Sequence, residues 1–126
     1  MKIVFDSFAW IEYFMDTKNA EILEGYLKNN EIITSSAALL ELSYRADQEK
    51  WDIKKHLAFI KLKSRIVGFN DEFILRFGVI YNKLKEEVKE MGFADIIIYA
   101  TAILHDAKVL TGDSHFKYLD RTILLK

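Results

Sequence analysis

Ala94–Phe116, ADIIIYATAILHDAKVLTGDSHF, holds the reading on which the fold turns. Its first half is apolar on every side, and the isoleucine run Ile96–Ile98 taken alone would suit a buried strand. Length and the alanines Ala94, Ala100 and Ala102 favour a buried helix over Ala94–His105, because strands seldom exceed about eight residues and alanine is the best helix former. The short run Lys108–Thr111 then becomes a strand, and Gly112–Asp113 the turn that leaves it.

The same helix-and-strand alternation extends outward in both directions. Lys2–Asp6 reads as a first strand, with Ile3, Val4 and Phe5 in a row as in a strand covered on both faces. From Ser7 the spacing changes: Phe8, Ile11 and Met15 fit a short helix that Ser7 can cap. Ile22, Leu23, Tyr26 and Leu27 mark a second helix, ended by Asn29–Asn30. Glu31–Thr34 is a second strand, and Ser35–Ser36 opens a helix that carries Glu41 in its apolar middle. Trp51–Arg65 is amphipathic, with Ile53, Leu57 and Ile60 inward and a basic outer face. Ile66–Phe69 is a third strand, and Asn70 caps a helix in which Phe73, Phe77, Ile80, Tyr81, Leu84 and Val88 recur at threes and fours until Gly92. Thr122–Leu124 is a last strand. Parallel strands need crossover connections, so this order predicts one α/β domain over residues 1–126. Its architecture is a three-layer α/β/α sandwich around a mostly parallel sheet of four to five strands.

Composition narrows the chemistry. A chain of 126 residues with 51% hydrophobic and 29% charged residues has the makings of an ordinary folded core. It contains no cysteine, so disulfides and thiolate metal sites are excluded and any metal is held by oxygen or nitrogen. The apolar runs are too short to span a membrane and the N-terminus lacks a signal-peptide pattern, so a cytoplasmic protein is expected. A net charge of -1 offers no overall attraction for a polyanion, so nucleic-acid binding needs local charge separation or a bound cation.

Four acids occupy special places in this layout. Asp6 follows the first strand, Glu41 lies less than two turns into the helix after the second, Asp95 opens the apolar helix, and Asp113 follows the fourth strand. Crossovers of one hand bring these points to one edge of the sheet, the edge at which open α/β folds bind ligands. Two carboxylates about 5 Å apart repel by roughly 3 kcal/mol at an effective dielectric of about 20, so four together require a counter-charge. Oxygen donors without cysteine or paired histidine suit Mg²⁺ or Mn²⁺ rather than Zn²⁺. Each acid also has a structural reading: Asp6 and Asp95 as helix caps, Glu41 as a partner of Arg45 one turn on, Asp113 as turn chemistry. Four such coincidences are less economical than one site.

With these residues in view the sequence resembles the PIN-domain nucleases, and most of all the VapC-type toxins of toxin–antitoxin pairs. The likeness rests on Asp6 in IVFDSFAWIEYF, Glu41 in SSAALLELSYRA, and Asp95 and Asp113 in GFADIIIYATAILHDAKVLTGDSHF. It implies a Mg²⁺- or Mn²⁺-dependent endoribonuclease in which Asp6, Glu41, Asp95 and Asp113 hold the metal and do the chemistry. Ser7 and Thr111 would be the accompanying hydroxyls. It further implies a homodimer and an antitoxin partner. Lys54, Lys55, Lys61 and Lys63 are candidate RNA contacts, although a solvated helix face is the first reading of them; His115 is another, although a lone surface histidine more often has no such role. Where many relatives carry a further acid after the fourth, this chain has Ser114 and His115, and LSYRA replaces the small residues common after Glu41.

Other readings stay open at this stage. A housekeeping RNA-processing nuclease or an inactive PIN-like binding module would show the same acids. A phosphatase using Asp6 as nucleophile would want a second Asp two residues on, where Phe8 stands, and a dinucleotide site would want a glycine-rich first turn. Trp10, Tyr13, Phe14 and Trp51 are assigned to core packing, with a dimer or partner surface as the alternative.

Overall fold

A computed structural model describes residues 1–125. In chain order the elements are β1 (Lys2–Phe5), α1 (Ser7–Phe14), α2 (Ala20–Asn29), β2 (Glu31–Ser35), α3 (Ser36–Glu49), α4 (Ile53–Lys63), β3 (Arg65–Val67), α5 (Asp71–Glu87), α6 (Phe93–Leu104), β4 (Lys108–Thr111) and β5 (Thr122–Leu124). A single 3₁₀ turn, Ser114–Phe116, separates the last two strands. The sheet has the order β3-β2-β1-β4-β5, and every neighbouring pair is parallel. The expected three-layer α/β/α sandwich is therefore present, with its sheet wholly parallel.

Strand order explains where a ligand can enter. From β1 the chain builds outward through β2 to β3, then returns through α5 and α6 to add β4 and β5 on the other side. Loops leaving β1 and β4 therefore diverge to opposite sides and open a crevice at their carboxyl ends.

Side-chain alternation divides the core between the two faces of the sheet. Ile3, Phe5, Ile32 and Leu110 pack with Ala9 and Trp10 of α1, Leu23 of α2, Leu42 of α3 and Ile60 of α4. Val4, Ile33 and Val109 face the other way, against Leu84 of α5 and Ile96, Ile98, Tyr99 and Ala102 of α6. The apolar stretch after Ala94 is indeed a helix, and Ile96, Ile98, Ala100, Thr101 and Ala102 are all buried in it. Small residues at positions 100 and 102 let α6 lie close on β1 and β4.

Several local expectations are corrected. Ser7 does not cap α1; the cap is Asp6, whose carboxylate accepts from the Ala9 N–H. Gly92 does not terminate α5, which ends at Glu87, but stands as the N-cap of α6. The chain leaves α5 early because Met91 is fully buried, and Lys85 Nζ holds the intervening loop by donating to the carbonyls of Lys89 and Met91. The helix read over Trp51–Arg65 is shorter, since Asp52 caps it through the Lys55 N–H and Arg65 already belongs to β3. Trp10 is entirely buried, as core packing requires.

Burial of Trp10 needs a partner for its indole N–H, and Thr34 supplies it. Trp10 Nε1 donates to Thr34 Oγ1 at 3.1 Å, the Thr34 and Ser64 hydroxyls lie 2.9 Å apart, and Ser64 Oγ donates to the Ile60 carbonyl at 2.8 Å. Replacing Thr34 by Val keeps the shape and orphans a buried donor, which costs about 1–3 kcal/mol. Urea unfolding of Thr34→Val should show a lower midpoint with an unchanged slope; an unaltered midpoint would mean that water reaches the indole.

Candidate active site

Asp6 and Thr111 occupy the ends of the two strands that flank the crevice. Asp6 is 7% exposed, and one of its oxygens accepts from the Ala9 N–H at 2.9 Å, so it is both helix cap and member of the acid group. The buried Thr111 hydroxyl hydrogen-bonds to the Asp6 carboxylate and accepts from the Asp113 N–H at 3.0 Å. One hydroxyl thus ties together the two chain segments that leave β1 and β4.

The remaining acids come from helices. Asp95 stands in the first turn of α6, where its carboxylate accepts from the Gly92 N–H, an N-terminal arrangement that also turns the acid toward the crevice. Glu41 reaches in from α3 and hydrogen-bonds to the Ser7 hydroxyl. Arg45, its possible surface partner, lies instead over the Trp51 ring at 5.9 Å. Asp113 caps the Ser114–Phe116 turn by accepting from the His115 N–H at 2.9 Å. Gly112 makes room for the Phe8 ring, since a Cβ there would fall 2.2 Å from it and force Phe8 or the loop to shift.

Electrostatics couple the acids pairwise, Glu41 and Asp95 acting on Asp6, Asp95 on Glu41 and Asp113 on Asp95, while among the described residues Asp6 and Glu41 fall outside the tight group of ligand atoms formed by Asp95, Asp113 and His115. Burial, reinforced by Glu41 and Asp95, pushes Asp6 up to about 7 in spite of the Thr111 and Ala9 hydrogen bonds. Burial also raises Glu41, with Asp95 adding to it and the Ser7 hydroxyl opposing. Asp95 is raised by burial and then by Asp113, while the Gly92 N–H and His115 pull the other way. Carboxylates whose proton affinity is lifted by burial, and further by neighbouring acids, are carboxylates that would favour a cation. Asp95, Asp113 and His115 each offer a ligand atom, all within 4.8 Å of one another. The oxygen-rich donor set fits Mg²⁺ or Mn²⁺.

The lysines stand apart from this group. Lys54, Lys55, Lys61 and Lys63 are exposed on α4. Lys63 lies 6.0 Å from the Phe59 ring, and Lys55 borders a concavity shared with Tyr13, Phe14, His56 and Phe59. His115 is with the acids, its Nδ1 3.4 Å from Asp113 Oδ1. Two features of the site escaped the sequence reading: the Phe8–Gly112 contact and the 3₁₀ turn that carries His115. The first is non-local and leaves only a glycine as its trace; the second was signalled by Asp followed by Ser, a capping pattern.

These features define a class of α/β/α proteins with an acidic centre at the switch point of the sheet. The PIN domain family model matches residues 3–122, and the chain belongs to that family. No curated protein matches the sequence. Among solved structures it is similar to VapBC2 from Rickettsia felis bound to a DNA fragment from their promoter, with 23% identity, a TM-score of 0.77, and coverage of 99% of this chain and 98% of that one. A toxin–antitoxin complex from Klebsiella pneumoniae is similar at 21% identity and a TM-score of 0.75, covering 96% and 95%. So is the sarcin-ricin loop cleaving toxin VapC20 of Mycobacterium tuberculosis, at 14% identity and a TM-score of 0.66, covering 85% and 86%.

Two predictions follow from the geometry. Asp6 binds its proton more tightly folded than unfolded, so the stability this gives is complete below its ordinary value of 3.8 and lost as pH rises through about 7. In chelator-treated protein, Asp6→Asn should therefore raise the melting temperature at pH 8 and do little at pH 4. A pH-independent difference would contradict the burial of a charge. Gly112→Ala should displace the Asp113 loop or Phe8, weakening cation binding measured by calorimetry, and Phe8→Ala in the same chain should restore it.

Proposed function

We propose that this chain is a Mg²⁺- or Mn²⁺-dependent endoribonuclease that hydrolyses phosphodiester bonds, and that it is the toxin of a toxin–antitoxin pair. One observation carries the reading: Asp6, Glu41, Asp95 and Asp113 converge on the crevice between β1 and β4, where burial first, and neighbouring acids after it, disfavour the ionised form of Asp6, Glu41 and Asp95. Membership of the PIN domain family supports a nuclease. RNA as substrate and an antitoxin as partner are supported by the solved structures similar to it, which include an RNA-cleaving toxin and toxin–antitoxin complexes.

Asp6, Glu41, Asp95 and Asp113 would hold the cation. When bound, it polarises the phosphoryl oxygen, makes water a nucleophile near neutral pH and stabilises the departing oxygen. Thr111 fixes the Asp6 carboxylate and the Asp113 backbone in one arrangement, and Ser7 orients Glu41. Asp6 is shielded from bulk water, so it acts as a positioned ligand, whereas Glu41, Asp95 and Asp113 are half-exposed and can meet a phosphate. The near-neutral chain would approach RNA with its acids already compensated, and Lys54, Lys55, Lys61 and Lys63 are available to guide the strand. A homodimer in the cytoplasm completes the proposal; among the described residues no helix is long and apolar enough to cross a membrane.

Purified protein should cleave single-stranded RNA with Mg²⁺ or Mn²⁺ and stop on chelation. Asp6→Asn and Asp95→Asn should each lower the rate by at least about 10²-fold, the scale of losing a positioned catalytic group. Undiminished cleavage by both variants would overturn the assignment; cation binding without cleavage of any RNA would favour the inactive binding module.

A further inference from the structure

His115 is set among the acids by a rigid local structure. The turn that bears it is closed by Phe116 N–H to Asp113 O at 3.2 Å and Lys117 N–H to Ser114 O at 3.0 Å, and it is anchored by Phe116, which is fully buried. The His115 N–H is itself held by Asp113 Oδ1 at 2.9 Å. The turn therefore fixes the His115 backbone beside Asp113, and the ring lies within reach of that carboxylate. The other histidines are engaged elsewhere: His56 stacks on Phe14 at 4.1 Å between ring centroids, and His105 Nδ1 lies 3.0 Å from the Arg65 guanidinium.

The spacing suits a shared ion better than a direct hydrogen bond. His115 Nδ1 and Asp113 Oδ1 are 3.4 Å apart, and a ring nitrogen of His115 and one carboxylate oxygen each of Asp95 and Asp113 lie within 4.8 Å of one another. On an octahedral ion with bonds of about 2.1 Å, ligand atoms lie roughly 3 Å apart when adjacent and about 4 Å apart when opposite. The observed group is slightly wider than that geometry.

We propose that His115 is a nitrogen ligand of the cation at this centre, held together with Asp95 and Asp113, and that it tilts the centre toward Mn²⁺ over Mg²⁺. This rests on the reading of the acids as a cation site. Mg²⁺ takes oxygen ligands and gives up its waters reluctantly, whereas Mn²⁺ accepts an imidazole at lower cost.

The test uses the full chain and Mn²⁺ alone. Electron spin-echo spectra of Mn²⁺-loaded protein should carry ¹⁴N modulation from a coordinated imidazole, and the modulation should vanish in His115→Ala and His115→Gln. Calorimetry should show the preference for Mn²⁺ over Mg²⁺ falling by at least about tenfold in both variants, as loss of even an outer partner costs a metal site that much. Because His115 is exposed, the variants should keep the circular dichroism of the parent, and Asp95→Asn serves as the variant that loses both cations. Mn²⁺ bound without nitrogen modulation, or modulation that survives in both His115 variants, would overturn the inference and leave the acid site standing. No Mn²⁺ binding by the unaltered chain would overturn both.

Discussion

Confinement of carboxylates at the crevice between β1 and β4 is the constraint on which the rest of this structure depends. Asp6 is almost entirely withdrawn from water, and its nearest charged neighbours include Glu41 and Asp95. At an effective dielectric of about 20, each close pair of ionised acids costs a few kcal/mol, so the arrangement is unfavourable unless a proton or a cation intervenes. A fold maintained only for stability would replace such residues with neutral ones. The surrounding hydrogen bonds instead hold them in position: Ala9 and Thr111 on Asp6, Ser7 on Glu41, Gly92 on Asp95, and the Thr111 hydroxyl on the Asp113 backbone.

The scaffold explains how such a group is kept from splaying. β1 and β4 are hydrogen-bonded neighbours, so the residues that follow them cannot separate without breaking the centre of the sheet. α6 is clamped by its buried isoleucines and alanines, which fixes the height of Asp95. Phe8 over Gly112 and Phe116 in the core hold the loop that carries Asp113 from both sides. α3 supplies Glu41 and also packs against α6, so the helix-borne acids share a support. A cation bound here, as proposed, would spend little of its binding energy on ordering the ligands, which is the advantage of a preorganised site.

Much of this was legible in the sequence because it depends on local pattern. Short apolar runs flanked by helical spacing located all five strands within about a residue or two, and length with alanine content decided Ala94–His105. Asp6 and Asp113 were identifiable because an acid at a strand end stands out against an apolar run. What stayed hidden depends on contacts between distant residues or on signals with two meanings. Glycine marks both the end of one helix and the start of the next, so Gly92 was read as a stop when it is the cap of α6. Asp6 and Ser7 are both good caps, and only the three-dimensional position of Glu41 gives Ser7 another partner. Whether Glu41 reached Asp6 required the crossing of α3 over the sheet, which no spacing rule encodes.

The central claim is that these acids share a cation, and anomalous diffraction at the manganese edge tests it most directly. Crystals of the protein grown with Mn²⁺ should show a manganese peak enclosed by the carboxylates of Asp6, Asp95 and Asp113, with Glu41 turned toward it. A manganese peak elsewhere on the molecule, with the acids left as in the metal-free protein or splayed apart, would contradict the account.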